Sequence, residues 1–130
     1  MIPVDQTIVC KNEGDCMRAA IASLFELRIE QVPHFILFAD WFPVFYNYLR
    51  GLGYTYNGCR DGKLPILATH KGITYASVKS RTYDDGTTHA VLIDQSGLVV
   101  HDPNPNKKFQ DINVKETGEL LYTFLIEPLD

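Results

Sequence analysis

Positive charge is scarce in this chain: 12 Lys and Arg face 16 Asp and Glu, for a net charge of −4 and a pI near 5.5. With no sequence-wide basic surface to displace counterions from a phosphate backbone, nucleic acid is excluded as the dominant partner. Long apolar runs are missing too. The densest, from Pro33 to Leu52, is broken by Asp40, Asn47 and Arg50, short of the roughly 18 uncharged residues of a membrane-spanning helix, so no membrane partner is expected. The N-terminus carries Asp5 where a secretory signal has basic residues leading into an apolar stretch, which predicts a cytoplasmic protein. Cysteine is rare: Cys10, Cys16 and Cys59 are odd in number and lack the paired spacing of zinc ligands or of a secreted disulfide framework. Cys10 and Cys16 could cross-link, but a reducing compartment favours free thiols. Neither a metal site nor a cofactor is implied. Repeats, low-complexity tracts and flexible linkers are also absent, so residues 1–130 read as one domain.

What is present is ordinary globular material, 45% hydrophobic and 22% charged. Asp15 is a good N-cap, and Met17, Ala20, Ile21 and Leu24 recur at helical steps, predicting a helix from Cys16 to Phe25. A helical turn follows near Arg28 to Val32, stopped by Pro33, and a second helix spans Phe42 to Arg50, closed by Gly51 or Gly53. Beyond it the pattern changes. Leu64 to Ala68, Ile73 to Val78, Thr88 to Asp94, Leu98 to Asp102 and Leu120 to Glu127 read as strands. Helices first and strands afterwards predict an α+β fold with a mainly antiparallel sheet.

The chemistry begins at Cys16. A cysteine in the first turn of a helix meets unpaired backbone N–H groups and the positive end of the macrodipole, both of which favour a thiolate. A buried core cysteine is the alternative, and the partners decide between the two. In the hairpin from Thr88 to Asp102, a three-residue turn at Gln95 to Gly97 with a glycine bulge pairs Ile93 with Leu98, Val91 with Val100 and His89 with Asp102. All six then share one face, with the aliphatic side chains in the core and His89 beside Asp102 at the open end. A carboxylate beside an imidazole fixes its tautomer and stabilises the imidazolium, as a base that deprotonates a thiol requires. A structural cross-strand hydrogen bond is the plainer account of a His/Asp pair alone; with a helix-capped cysteine upstream, a catalytic trio of Cys16, His89 and Asp102 is the expectation.

These residues carry a resemblance. Gly14 to Leu24 (Gly-Asp-Cys-Met-Arg-Ala-Ala-Ile-Ala-Ser-Leu), Val32 to Phe35, His89-Ala-Val and His101 to Pro105 resemble small bacterial and phage proteins of the papain-like cysteine peptidase fold, themselves similar to the peptidase domains that process bacteriocin leaders. The resemblance implies Cys16 as nucleophile, His89 as general base and acid and Asp102 as the residue that orients it. It also implies a glutamine that helps to hold the oxyanion. At its usual offset, six residues before the nucleophile, stands Cys10; Gln6, four residues further upstream, and Asn12 are the available amides. The function implied is hydrolysis of an amide, peptide or isopeptide bond through an acyl-enzyme, the substrate being a peptide, a protein or a small amide. Acyl transfer to an amine by the same trio and a non-catalytic binding protein on the same fold are the alternatives.

Elsewhere, His34 beside apolar residues and His101, turned away from Asp102 on its strand, are expected to be structural, and His70 with Cys59 lacks metal-ligand spacing. Phe42, Phe45 and Tyr46 are expected in the core by their spacing, while Trp41 remains a candidate for the cleft. Asn104 and Asn106, in the stiff loop that follows Asp102, are turn formers or substrate contacts. Specificity is assigned to loops at Phe35 to Trp41, Gly53 to Lys63 and Arg81 to Thr87.

Overall fold

A computed structural model of the protein describes residues 1–10, 14–83 and 85–129. Helix α1 (Cys16–Leu24) starts where the cap signal places it, and α2 (Trp41–Gly51) begins one residue earlier than its periodicity suggests. Two 3-10 turns, Ile29–Gln31 and Phe35–Leu37, lie between them. Five strands follow: β1 (Tyr54–Asp61), β2 (Thr74–Lys79), β3 (Thr88–Ile93), β4 (Val99–His101) and β5 (Leu120–Pro128), with a one-turn helix α3 (Val114–Thr117) before the last. They form one antiparallel sheet in the order β1-β5-β2-β3-β4. The architecture is α+β, helices first, as the sequence pattern predicts. Among the described residues no helix is long and apolar enough to cross a membrane.

The central strands are covered on both faces. Ala90 and Leu92 of β3 pack with Ile21, Leu24, Phe45 and Leu49 of the helices, while Val91 and Ile93 pack on the other face with Ile66, Val99, Phe109 and Val114. Two-sided burial is why Ala90 to Ile93 reads as a continuous apolar run instead of an alternating one.

Three expectations require correction. The apolar stretch Leu64 to Ala68 forms no strand: Pro65 has no N–H to give a ladder, its carbonyl is taken by Arg60 Nε at 2.7 Å, and only Ile66 enters the core. The fifth strand is instead β1, hidden in the sequence by Asn57-Gly58, a pair that normally marks a turn. Here Gly58, at φ +97°, accommodates a bulge between Tyr56 and Cys59. Finally, Phe42 is exposed and Tyr46 only half-buried, whereas Phe45 and Leu49 take the core.

The last point has a measurable consequence. Phe45→Ala empties a site enclosed by Phe35, Tyr56 and Phe124 and is expected to lower stability by about 3–5 kcal/mol, whereas Phe42→Ala is expected to cost about 1 kcal/mol or less. Urea denaturation of the two variants checks the contrast.

Candidate functional site

Cys16 is placed by a tightly laid entry to α1. Asp15 occupies the N-cap position, yet its side chain does not cap the helix. The buried carboxylate turns back and accepts from Thr7 N at 2.8 Å, Thr7 Oγ1 at 2.7 Å and Ile8 N at 2.9 Å. Gly14 donates its N–H to Cys10 O at 3.1 Å, and a Cβ there would stand 2.6 Å from that same oxygen. The Gly-Asp-Cys motif is thus a glycine for close backbone approach, a carboxylate that ties down the preceding segment and a thiol at the helix start.

His89 and Asp102 do meet, but not through the expected pairing. The glycine bulge is there, Gly97 at φ +96° donating to Asp94 O at 3.1 Å and Asp94 N to Leu98 O at 2.9 Å, but it sets Ile93 against Val99, and a second inserted residue, Val100, then sets Leu92 against His101. Val99 consequently joins Val91 and Ile93 on one face, and Val100 packs with the helix-side core. Asp102 lies one residue past β4, so a ladder cannot deliver it to His89. The loop does so instead. Asn104 N donates to Asp102 Oδ1 at 3.0 Å and Phe109 N to Oδ2 at 3.0 Å. Gln110 bridges the bulge, its Oε1 accepting from Asp102 N and its Nε2 donating to Val100 O, both at 2.9 Å. Asn106 N on Asn104 Oδ1 and Lys108 N on Asn106 Oδ1 repeat the same side-chain turn, so the two asparagines build the loop.

Thus held, Asp102 Oδ1 accepts a hydrogen bond from His89 Nε2 at 2.7 Å. The other ring nitrogen, Nδ1, is not taken by Asp102, and Cys16 lies near enough to the imidazole for each to shift the protonation of the other. Phe109 stacks on the His89 ring with centroids 6.1 Å apart. Burial raises the Cys16 thiol, but the hydrogen bond and charge of His89, with the N–H groups of Ala90 and Met17, outweigh it and leave the thiol below its ordinary value. Met17 N–H belongs to the first turn of α1, where the helix start was expected to supply such a donor. Burial lowers His89, and its bonds to Asp102 and Cys16 overcome this, pushing it to about 9. Asp102, raised by burial, is held below the usual carboxylate range chiefly by His89. Each of the two groups thus favours the charged form of the other, the imidazolium the thiolate and the thiolate the imidazolium.

The trio opens on a cleft of about 260 Å³. Ile36 and Trp41 line it from one expected loop, and Arg81, Thr82, Tyr83 and Thr87 line it from another; Gly53 to Lys63 does not, because most of that stretch is β1 at the opposite edge of the sheet. Gln6 also lines the cleft, buried, with Nε2 donating to Ile8 O at 2.9 Å and Oε1 without a partner among the described residues. Asn12, the other candidate amide, lies outside the described residues. Cys10 reaches the cleft as a free, exposed thiol, and no disulfide joins it to Cys16. His101 is buried and donates Nε2 to Val4 O at 2.8 Å, and His70 binds Tyr54 Oη at 2.7 Å, so both are structural. Sequence reasoning missed Ala90 N–H, the Gln110 bridge and the sheet residues Tyr75, Ser77 and Tyr122 on the cleft floor. The pairing of β2 with β3 and β5 puts these floor residues there, and only the Asx-rich spacing after Asp102 hinted at the loop.

Thiol chemistry tests this arrangement directly. Alkylation of Cys16 by iodoacetamide, followed against pH, is expected to show a midpoint below that of an ordinary thiol. His89→Ala is expected to move the midpoint upward past it, because burial persists once the imidazolium is gone. No family model, curated protein or solved structure matches the chain; what can be said of its activity comes from these residues and their geometry.

Proposed function

We propose that this protein is a thiol hydrolase of papain-like type that cleaves an amide, peptide or isopeptide bond through an acyl-enzyme. The observation that carries the reading is the line from Asp102 through His89 to Cys16 at the cleft, with the thiol lowered by the imidazole beside it. A thiol lowered against its own burial has no use in a purely structural role, where an ordinary thiol would serve, and clustering of such shifts in a cleft is the usual mark of a reactive site.

In this reading Cys16 Sγ attacks the substrate carbonyl carbon. The tetrahedral intermediate collapses as His89 Nδ1 passes its proton to the departing nitrogen, the C–N bond breaks and a thioester remains. Water then attacks the thioester, giving up a proton to the now neutral His89, and the acid leaves while Sγ is restored as thiolate. Asp102 keeps Nε2 protonated throughout, so that Nδ1 is the atom that exchanges protons. For the oxyanion, the donors are the backbone N–H of Cys16 and Gln6 Nε2, which has one N–H fixed on Ile8 O and a second without a partner among the described residues.

Hydrolysis should follow a bell-shaped pH profile. On the acid side, activity is lost as the thiolate is protonated, below the ordinary thiol value. On the basic side, activity falls as His89 gives up its proton, near pH 9, because the leaving nitrogen then has no proton donor. Iodoacetamide alkylation needs only the thiolate and is expected to stay high above pH 9. Hydrolysis of an activated amide or thioester by the wild-type protein, with Cys16→Ala inactive and His89→Ala slower by about 10²–10⁴-fold, supports the reading; turnover unchanged in Cys16→Ala refutes it.

A further inference from the structure

Beside the thiol, the recess at the bottom of the cleft is floored by three neighbouring strands. Ser77 of β2 lies between Ala90 of β3 and Tyr122 of β5, and the Ala90 N–H is one of those directed at Cys16. Two residues along β2, Tyr75 occupies the same face. Its ring stacks on Phe124 at 4.3 Å and 22°, and Phe124 stacks in turn on Tyr122 at 5.8 Å and 6°. Met17 joins these rings in lining the cleft. The small side chains of Ser77 and Ala90 leave room, and the stacked rings fix the walls.

Two polar groups in this apolar surround lack an evident structural purpose. Tyr75 is only 4% exposed and Ser77 3% exposed, yet both line the cleft. The Tyr75 phenol makes no hydrogen bond among the described residues, while the charge of Cys16 acts on it. A phenylalanine would pack against Phe124 equally well; neither the Tyr75 nor the Ser77 oxygen is among the fully buried atoms without a partner, so both open on the cleft, where a ligand that displaces their water must replace its hydrogen bonds. Burial above all, then the negative charge at Cys16, raises the phenol well above its ordinary value, so it stays neutral and able to donate.

We propose that this recess is a specificity pocket for an uncharged side chain ending in a carboxamide, such as glutamine, carried on the acyl part of the substrate attacked by Cys16. The proposal rests on the thiol-hydrolase reading and names the substrate class for the same site. The stacked rings receive the methylene stem, the carboxamide oxygen accepts from Tyr75 Oη, and its NH₂ donates to Ser77 Oγ. A leucine would fit the walls but strand the phenol. A carboxylate or ammonium would give up its hydration with no opposite charge among Met17, Tyr75, Ser77, Ala90, Tyr122 and Phe124; of the cations elsewhere on the cleft, Arg81 is paired with Glu119 at 2.6 Å and Lys108 lies on the loop beyond Asp102, its ammonium 3.5 Å from Thr82 Oγ1.

Acyloxymethyl ketones built on a single N-acetylated residue test the pocket, since Cys16 Sγ displaces their carboxylate to form a stable thioether. Inactivation rates are compared for probes bearing Gln, Leu, Glu and Lys, with iodoacetamide as a side-chain-free control and the alkylated cysteine located by mass spectrometry. The Gln probe is expected to react about tenfold or more faster than the others. Tyr75→Phe is expected to bring it down to the Leu rate while leaving the iodoacetamide rate unchanged, and Ser77→Ala, a smaller perturbation of the sheet, to narrow the gap in the same direction. A flat panel, or a Gln preference that survives both substitutions, overturns the pocket while rapid iodoacetamide labelling of Cys16 leaves the hydrolase reading intact. If iodoacetamide labels Cys16 no faster than Cys10 and Cys59, the hydrolase reading itself falls.

Discussion

A carboxylate removed from water must be met by donors, and the site is organised around how Asp102 meets that demand. Its two oxygens receive N–H groups from Asn104, Phe109 and His89, so one side chain joins the end of β4, the loop beyond it and the start of β3. Because burial would otherwise favour the neutral acid, these donors do more than position it: they keep it ionised. An ionised Asp102 in turn favours a protonated His89, and a protonated His89 favours the thiolate of Cys16. The coupling runs both ways along the line, from the sheet edge to the helix start, and each member supports the charge of its neighbour.

The sequence made some of this legible and hid the rest, for physical reasons. The helix at Cys16 was readable from its periodicity, and Asp15 marked its start although the side chain turns back to Thr7 and Ile8 and does not cap it. The meeting of His89 with Asp102 was also foreseen, though by the wrong route. The glycine bulge of the hairpin was readable, but the second inserted residue, Val100, was not, since nothing local distinguishes a bulged valine from a paired one; its position follows from both faces needing apolar cover. The strand β1 was invisible because Asn57-Gly58 is the signature of a turn and served here to bend a strand. Conversely, Leu64 to Ala68 has the apolar content of a strand without the donors, since Pro65 breaks the ladder.

The cleft floor was the least readable part. Tyr75, Ser77 and Tyr122 are separated in the chain by up to 47 positions and are united only by sheet order, which places β5 between β1 and β2. Single-sequence reasoning assigns strands more readily than it orders them, and it looked for specificity in loops. The order of the strands is what sets a pair of hydroxyls into the one apolar surface that adjoins the thiol.

Residues 2 to 8 belong to no helix or strand, yet they are sewn to both sides of the molecule. Ile2 N and Val4 N bind Ser23 of α1, and Thr7 and Ile8 bind Asp15 at its start, while Val4 O receives His101 and Gln6 N reaches Pro103 O beside the sheet. The nucleophile stands on the helix and its base on the sheet, so this short length of chain acts as a spacer between them. The gap between sulfur and imidazole is thereby gauged by a ribbon of backbone outside both layers, and a slackening of those stitches would part the reacting atoms while the hydrophobic interior stayed whole.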